Sequence, residues 1–124
     1  MSVPQFSMPP ANELTSTASG LQYKHVKAGS GKSPSAKSEV TVHYAGWLTT
    51  GKLFDSSYGR GKTIRFPLGG VIRGWTEGLQ LMKQGGTTLF VIPPALGYGA
   101  RGAPPSIGPN ETLVFQVELV EVHG

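Results

Sequence analysis

Hydrophobic positions along this chain alternate in short runs more often than they recur at helical spacing. From Glu39 to Leu48, Val40, Val42 and Tyr44 fall on one side and Thr41 and His43 on the other, the period of two that a strand imposes. Leu113 to Val122 repeats the pattern, with Leu113, Phe115, Val117 and Leu119 on one face. Thr87 to Ile92 is β-branched and apolar without interruption and is stopped by Pro93 and Pro94, as expected of a central strand. Weaker strands are predicted over Leu21–Ala28, from Leu21, Tyr23 and Val26, and over Thr63–Phe66, ended by Pro67. Regular structure is expected to begin at Leu21.

One helix is predicted, from Val71 to about Gln84. Ile72, Trp75, Leu79 and Met82 form a single stripe, Lys83 lies in the last turn and Gly85 supplies the stop. Gly74 and Gly78 lie inside it, and each weakens a helix by up to about 1 kcal/mol relative to alanine. Packing rather than propensity must therefore hold it. Gly29 to Pro34 reads as a loop, Thr49 to Gly51 as a turn, and Phe54 to Arg60 as irregular. Ala95 to Glu111 is a long loop, and such loops in small domains are usually functional or disordered. The resulting expectation is an α+β domain: an antiparallel sheet of about five strands with one short helix packed across it.

Composition narrows this further. The 124 residues fit one domain, and 18 glycines with 10 prolines disfavour a helical bundle. The lack of cysteine removes disulfide scaffolds, iron–sulfur clusters, thiolate nucleophiles and cysteine zinc sites. No run of about 18 apolar residues predicts a membrane-spanning helix. The net charge of +4 would permit weak attraction to nucleic acid. Lys24, Lys27, Lys32 and Lys37, however, are scattered among glycines and serines, so no specific nucleic-acid site is expected. Residues 1–20 hold Pro4, Pro9 and Pro10 but no Lys, Arg or continuous apolar run, and read as a flexible arm rather than an export signal. Residues 21–124 form the expected folded domain. A cytoplasmic, reducing setting and a monomer complete the expectation.

The inventory for chemistry is thin. Asp55 is the sole aspartate, no glutamates pair as an acid–base couple, and His25, His43 and His123 match no metal spacing. Neither a nucleophile elbow nor a phosphate loop is present, so no metal and no cofactor is expected. Aromatic placement is less ordinary. Tyr44, Phe54, Phe66, Trp75, Tyr98 and Phe115 each lie on or beside a different predicted element, and Tyr98 sits between Gly97 and Gly99 in the long loop. Core packing alone would explain Phe115. A concave apolar site with a few polar groups would explain the tyrosines and the tryptophan, whose polar ends need partners.

Five runs then carry a resemblance. They are Val42-His43-Tyr44-Ala45-Gly46-Trp47-Leu48 with Gly51-Lys52-Leu53-Phe54-Asp55-Ser56-Ser57, Val71-Ile72-Arg73-Gly74-Trp75-Thr76-Glu77-Gly78-Leu79, Ile92-Pro93-Pro94-Ala95-Leu96-Gly97-Tyr98-Gly99, and Leu113-Val114-Phe115-Gln116-Val117-Glu118-Leu119. Together, in order and spanning Leu21 to Val122, they resemble FKBP-type peptidyl-prolyl cis-trans isomerases. The resemblance implies a half-barrel sheet wrapped round a short helix, and rotation of X–Pro bonds in proline-containing peptides and folding proteins. It implies no cofactor, and binding of tacrolimus and rapamycin. Trp75 would floor the proline pocket, with Tyr44, Phe54, Phe66, Val71, Ile72 and Phe115 as walls. The Ile72 N–H and the Tyr98 hydroxyl would hold substrate carbonyls, and Ile107 would belong to a flap. Asp55 would be the polar wall residue, steadied by Tyr44 and Arg60; Asp55, Tyr98, Trp75, Phe54 and Ile72 form the implied catalytic set. Ile64 stands where the family often has an aromatic and Ala103 where it often has a histidine, which bears on substrate preference. Two other readings stay open: a proline-binding or chaperone module with vestigial activity, and a basic nucleic-acid binder.

Overall fold

Glu39–Leu48, the cleanest alternation in the chain, is a ten-residue strand that organises the sheet. A computed structural model describes residues 3–124. In chain order the elements are β1 (Thr15–Ser16), β2 (Gln22–Lys27), β3 (Glu39–Leu48), β4 (Leu53–Ser56), β5 (Ile64–Pro67), α1 (Arg73–Leu79), β6 (Thr87–Ile92) and β7 (Leu113–His123). The strands run antiparallel in the order β1-β2-β6-β7-β3-β4, and β5 also pairs with β3. The two short strands divide one edge of β3: β5 takes Glu39 to Val42, and β4 takes Ala45 to Trp47. Among the described residues no helix is long and apolar enough to cross a membrane.

The five expected strands are all present, and two short ones extend the sheet. Phe54–Arg60, expected to be irregular, is half strand: Leu53–Ser56 pairs with β3 and a 3-10 turn follows at Tyr58–Arg60. Regular structure also starts before Leu21. A 3-10 turn spans Ala11–Glu13, and Thr15 pairs with Tyr23 across β1 and β2. Residues Val3, Phe6 and Leu14 pack on an apolar cluster of Ala45, Trp47, Tyr58, Leu89, Val91 and Val114. The Phe6 ring meets Trp47 edge-on at 5.8 Å. Of the expected arm, Met1 and Ser2 lie outside the described residues.

The alternation of each central strand supplies two apolar faces. Val40, Val42, Tyr44, Phe90, Ile92, Phe115, Val117 and Leu119 join Trp75, Leu79 and Met82 of the helical segment in the main core. The other face is the cluster that the N-terminal segment covers.

α1 is shorter than the predicted Val71–Gln84. Val71 and Ile72 are extended, so the helix begins at Arg73, and the Thr76 hydroxyl donates to the Leu68 carbonyl at 2.8 Å. Past Leu79 the helical bonds give way to partners elsewhere. Leu81 and Met82 N–H reach back three residues, the Gln84 N–H donates to the Lys32 carbonyl, and the Gly85 N–H donates to the Leu119 carbonyl. The buried stripe survives while the helix around it is traded for tertiary hydrogen bonds.

The two helical glycines have a packing reason. A Cβ on Gly74 would stand 2.7 Å from Ile92 Cγ2, and one on Gly78 would stand 2.6 Å from Phe90 Cε1. Four helical residues rise about 6 Å and two strand residues about 6.6 Å, so the Gly74–Gly78 spacing matches Ile92–Phe90 on one face of β6. Gly78→Ala should gain about 1 kcal/mol of helix propensity yet lose stability overall, by up to about 2 kcal/mol, because overpacking against Phe90 costs about 1–3 kcal/mol. Urea denaturation monitored by Trp fluorescence checks this; a neutral or stabilising result would show that the helix need not lie so close.

Candidate active site

With α1 pressed onto β6, Trp75 reaches rings carried by the paired strands β3 and β7. Its ring meets Tyr44 at 5.2 Å and 81°, and Phe115 at 5.2 Å and 86°, both edge to face. Phe66 of β5 lies 5.5 Å away, and Phe54 of β4 stands edge-on to Phe115 at 5.4 Å. Edge-to-face contacts of this kind add to what burial alone supplies. The indole is 6% exposed. Its Nε1 is the one buried side-chain polar atom among the described residues that has no hydrogen-bond partner.

Above this floor opens a groove of about 580 Å³. The expected residues Tyr44, Phe54, Asp55, Phe66, Val71, Ile72, Trp75, Tyr98 and Phe115 all line it, and Ile64 and Gly70 complete the wall. Gly70, readable in the sequence as part of a tight turn into the helix, is not marked there as a lining residue because it offers only backbone. Arg60 does not line the groove; it stands behind the wall, bonded to Asp55 and Tyr44. Ile107 is not a lining residue either. It is 4% exposed and packs in the main core. The reason is local: Ala103 and Ile107 exchange backbone bonds of 2.8 and 3.0 Å, closing the loop on itself and turning the isoleucine inward. Ala103 is half-buried against the same core.

Polar groups converge on one wall. The Tyr44 hydroxyl donates to Asp55 Oδ2. Arg60 donates to Asp55 Oδ1 at 2.9 Å and to the Tyr44 hydroxyl at 3.2 Å, and the Ser56 N–H donates to Asp55 Oδ1 at 2.9 Å. Burial by itself pushes the Asp55 carboxyl up. The bonds from Tyr44 and Arg60, the guanidinium charge and the Ser56 N–H together outweigh it and hold the group below its usual value. Burial, then the bonded Asp55 carboxylate, raises the Tyr44 phenol, with Arg60 opposing. Tyr98 is raised by burial and by the Asp55 charge, so it remains a protonated donor near neutrality.

Two donors face no internal partner. The Ile72 carbonyl accepts from Trp75 and Thr76, while its own N–H donates to no protein group among the described residues. The Tyr98 hydroxyl, on a residue 40% exposed, likewise has no protein partner among them. Free donors beside an aromatic floor can bind a carbonyl-bearing apolar guest. Asp55 has no second carboxylate and no histidine bonded to it, so the wall is not an acid–base dyad; among the described residues no group of three metal-ligating side chains gathers.

The model of the FKBP-type peptidyl-prolyl cis-trans isomerase family matches residues 30–120. A probable FKBP-type peptidyl-prolyl cis-trans isomerase of Haemophilus influenzae is 52% identical over 111 residues, covering 90% of this chain and 46% of that protein. The peptidyl-prolyl cis-trans isomerase Mip of Coxiella burnetii is 53% identical over 105 residues, covering 85% of this chain and 46% of that one. The chain thus spans about half the length of the curated relatives it matches. Among solved structures, FkpA from Escherichia coli superposes with a TM-score of 0.86 at 50% identity, covering 90% of this chain and 52% of that one. AtFKBP13 superposes with a TM-score of 0.84 at 36% identity, covering 88% of this chain and 98% of that one.

The carboxyl of Asp55 should titrate below the usual aspartate value of 3.8. Its contribution to stability is complete above that value and fades as pH falls through the lowered one. Arg60→Ala should move the midpoint up, which carboxyl-carbon NMR reads directly; an unmoved midpoint would mean that the guanidinium does not act on the carboxylate.

Proposed function

This chain belongs to the FKBP-type peptidyl-prolyl cis-trans isomerase family, and from that premise we propose that it accelerates rotation of X–Pro peptide bonds in protein substrates without covalent chemistry. The observation that carries the reading is the groove floored by Trp75 with two donors at its edge that are unpaired among the described residues.

Rotation about the bond before proline is slow because amide resonance must be broken, a barrier of about 18–20 kcal/mol. No bond to carbon forms or breaks, so neither nucleophile nor metal is needed. At the half-rotated transition state the carbonyl is less polar than in the planar amide. Water stabilises the planar form better, and an aromatic site removes that advantage. Burying the proline ring over Trp75 supplies about 1.5–3 kcal/mol of anchoring. The Ile72 N–H and the Tyr98 hydroxyl hold the flanking carbonyls in the twisted geometry. The Asp55–Tyr44–Arg60 cluster keeps the wall rigid and ionised. Tacrolimus and rapamycin, which present a ring and carbonyls together, occupy the same groove in this reading. Ile64 narrows the rim less than an aromatic would, so the preference for the residue before proline is set there.

A proline-limited refolding reaction should accelerate in proportion to added protein, and rapamycin should abolish the effect. Tyr98→Phe should lower kcat/KM by about 2- to 10-fold, the loss of one modest hydrogen bond. Trp75→Ala should lower it further. No acceleration at micromolar protein rejects the enzyme; rapamycin binding without acceleration makes the domain a proline-binding module instead.

A further inference from the structure

The β3–β4 ladder ends at Ala45 opposite Ser56. One step further, Ser57 lies beside Tyr44 and takes over the pairing with its side chain. The Ser57 N–H donates to the Tyr44 carbonyl at 2.9 Å, and the Tyr44 N–H donates to Ser57 Oγ at 2.7 Å. Both backbone groups of Tyr44 are therefore held by one residue, and that residue is 0% exposed.

Ser57 is itself held from behind. Its hydroxyl lies 2.9 Å from His43 Nδ1. His43 is 7% exposed and, as a strand neighbour of Tyr44, points to the sheet face opposite the groove. Its ring stacks on Tyr58 at 4.7 Å and 16°. The Tyr58 hydroxyl donates at 3.2 Å to Glu118, the cross-strand partner of His43 on β7. Burial and the Glu118 carboxylate push the Tyr58 phenol up to about 12, so it stays a donor. If His43 Nδ1 accepts, the Ser57 proton points to it and leaves a lone pair for the Tyr44 N–H. If Nδ1 donates, the Ser57 proton is left for the Tyr44 carbonyl at 3.3 Å. Either tautomer braces the oxygen from behind; loss of the ring nitrogen leaves it bonded to Tyr44 alone.

We propose that Ser57, braced by His43, is a positioning residue for the polar wall, setting the Tyr44 hydroxyl against Asp55. The proposal rests on the isomerase reading for its consequence in activity, but not for its geometry. Neither Ser57 nor His43 lines the groove. They act because Asp55 and Ser57 lie two residues apart on one segment, while Tyr44 is bonded to both. Relaxing the backbone attachment at Ser57 lets the side-chain attachment at Asp55 lengthen. A buried serine that merely fills space would be replaced by alanine without effect on that bond.

The experiment follows the Asp55 carboxyl by carbon NMR titration, alongside kcat and KM on an X–Pro peptide, in Ser57→Ala, His43→Phe and His43→Asn. His43→Phe keeps the stack on Tyr58 and removes the hydrogen bond; His43→Asn returns a polar atom near Nδ1. Expected is an upward shift of the Asp55 midpoint in Ser57→Ala and His43→Phe, with His43→Asn nearer the unsubstituted protein. The kcat should fall by about 2- to 10-fold, with KM changing less, because the apolar floor is untouched. Should Ser57→Ala fail to fold, His43→Phe carries the same reading. A folded His43→Phe or Ser57→Ala whose Asp55 titrates unchanged overturns the proposal. A shifted midpoint with unchanged isomerisation supports the positioning and overturns instead the role given to the Asp55 wall.

Discussion

Trp75 can floor a groove only if its helix comes down onto the sheet, and a seven-residue helix has too few hydrogen bonds to hold itself in place. Close approach does the holding. Gly74 and Gly78 present bare backbone to Ile92 and Phe90, with no room for a methyl group at either position. The intrinsic weakness of two glycines in a helix is outweighed by the contacts they permit. That approach brings the indole within ring contact of Tyr44 on β3 and Phe115 on β7, strands that are themselves neighbours. The floor of the groove is thus a consequence of helix-to-sheet distance.

The polar wall depends on a different constraint. One edge of β3 is shared between β4 and β5, and the chain between them leaves the ladder at Ser57. Leaving a ladder exposes backbone groups that must be satisfied elsewhere. Here a serine hydroxyl takes the Tyr44 N–H, and the next turn carries Arg60 back to the Asp55 carboxylate. The charge cluster beside the groove is therefore built from groups that also close the edge of the sheet. An apolar floor set by packing and an ionised wall set by hydrogen bonding meet at Tyr44, which contacts Trp75 with its ring and Asp55 with its hydroxyl.

Much of this was legible along the chain, and unevenly so. β3, β6 and β7 were readable because each is buried on one or both faces along most of its length, so burial writes its pattern into the residues. β4 was not, since its four residues mix Leu53, Phe54, Asp55 and Ser56 and its pairing comes wholly from β3. The stripe of Ile72, Trp75, Leu79 and Met82 was readable, but the ends of the helix were decided by partners such as Lys32 and Leu119 that lie far away in sequence. The same holds for the N-terminal segment, whose Phe6 earns its place only because Trp47 offers an uncovered face.

In the candidate site, the aromatic set and the tyrosine in its glycine frame stood out by residue type, and the family likeness gave them roles. Residue type and spacing determined that the chain would make an antiparallel sheet with one helix and carry a ring on each of several elements, because hydrophobic period and side-chain chemistry are local properties. Tertiary structure alone decided that Ile107 turns into the core and that Ser57 completes a ladder. Those outcomes depend on which backbone groups are left unpaired once the strands have met, a quantity that does not exist until the chain is folded.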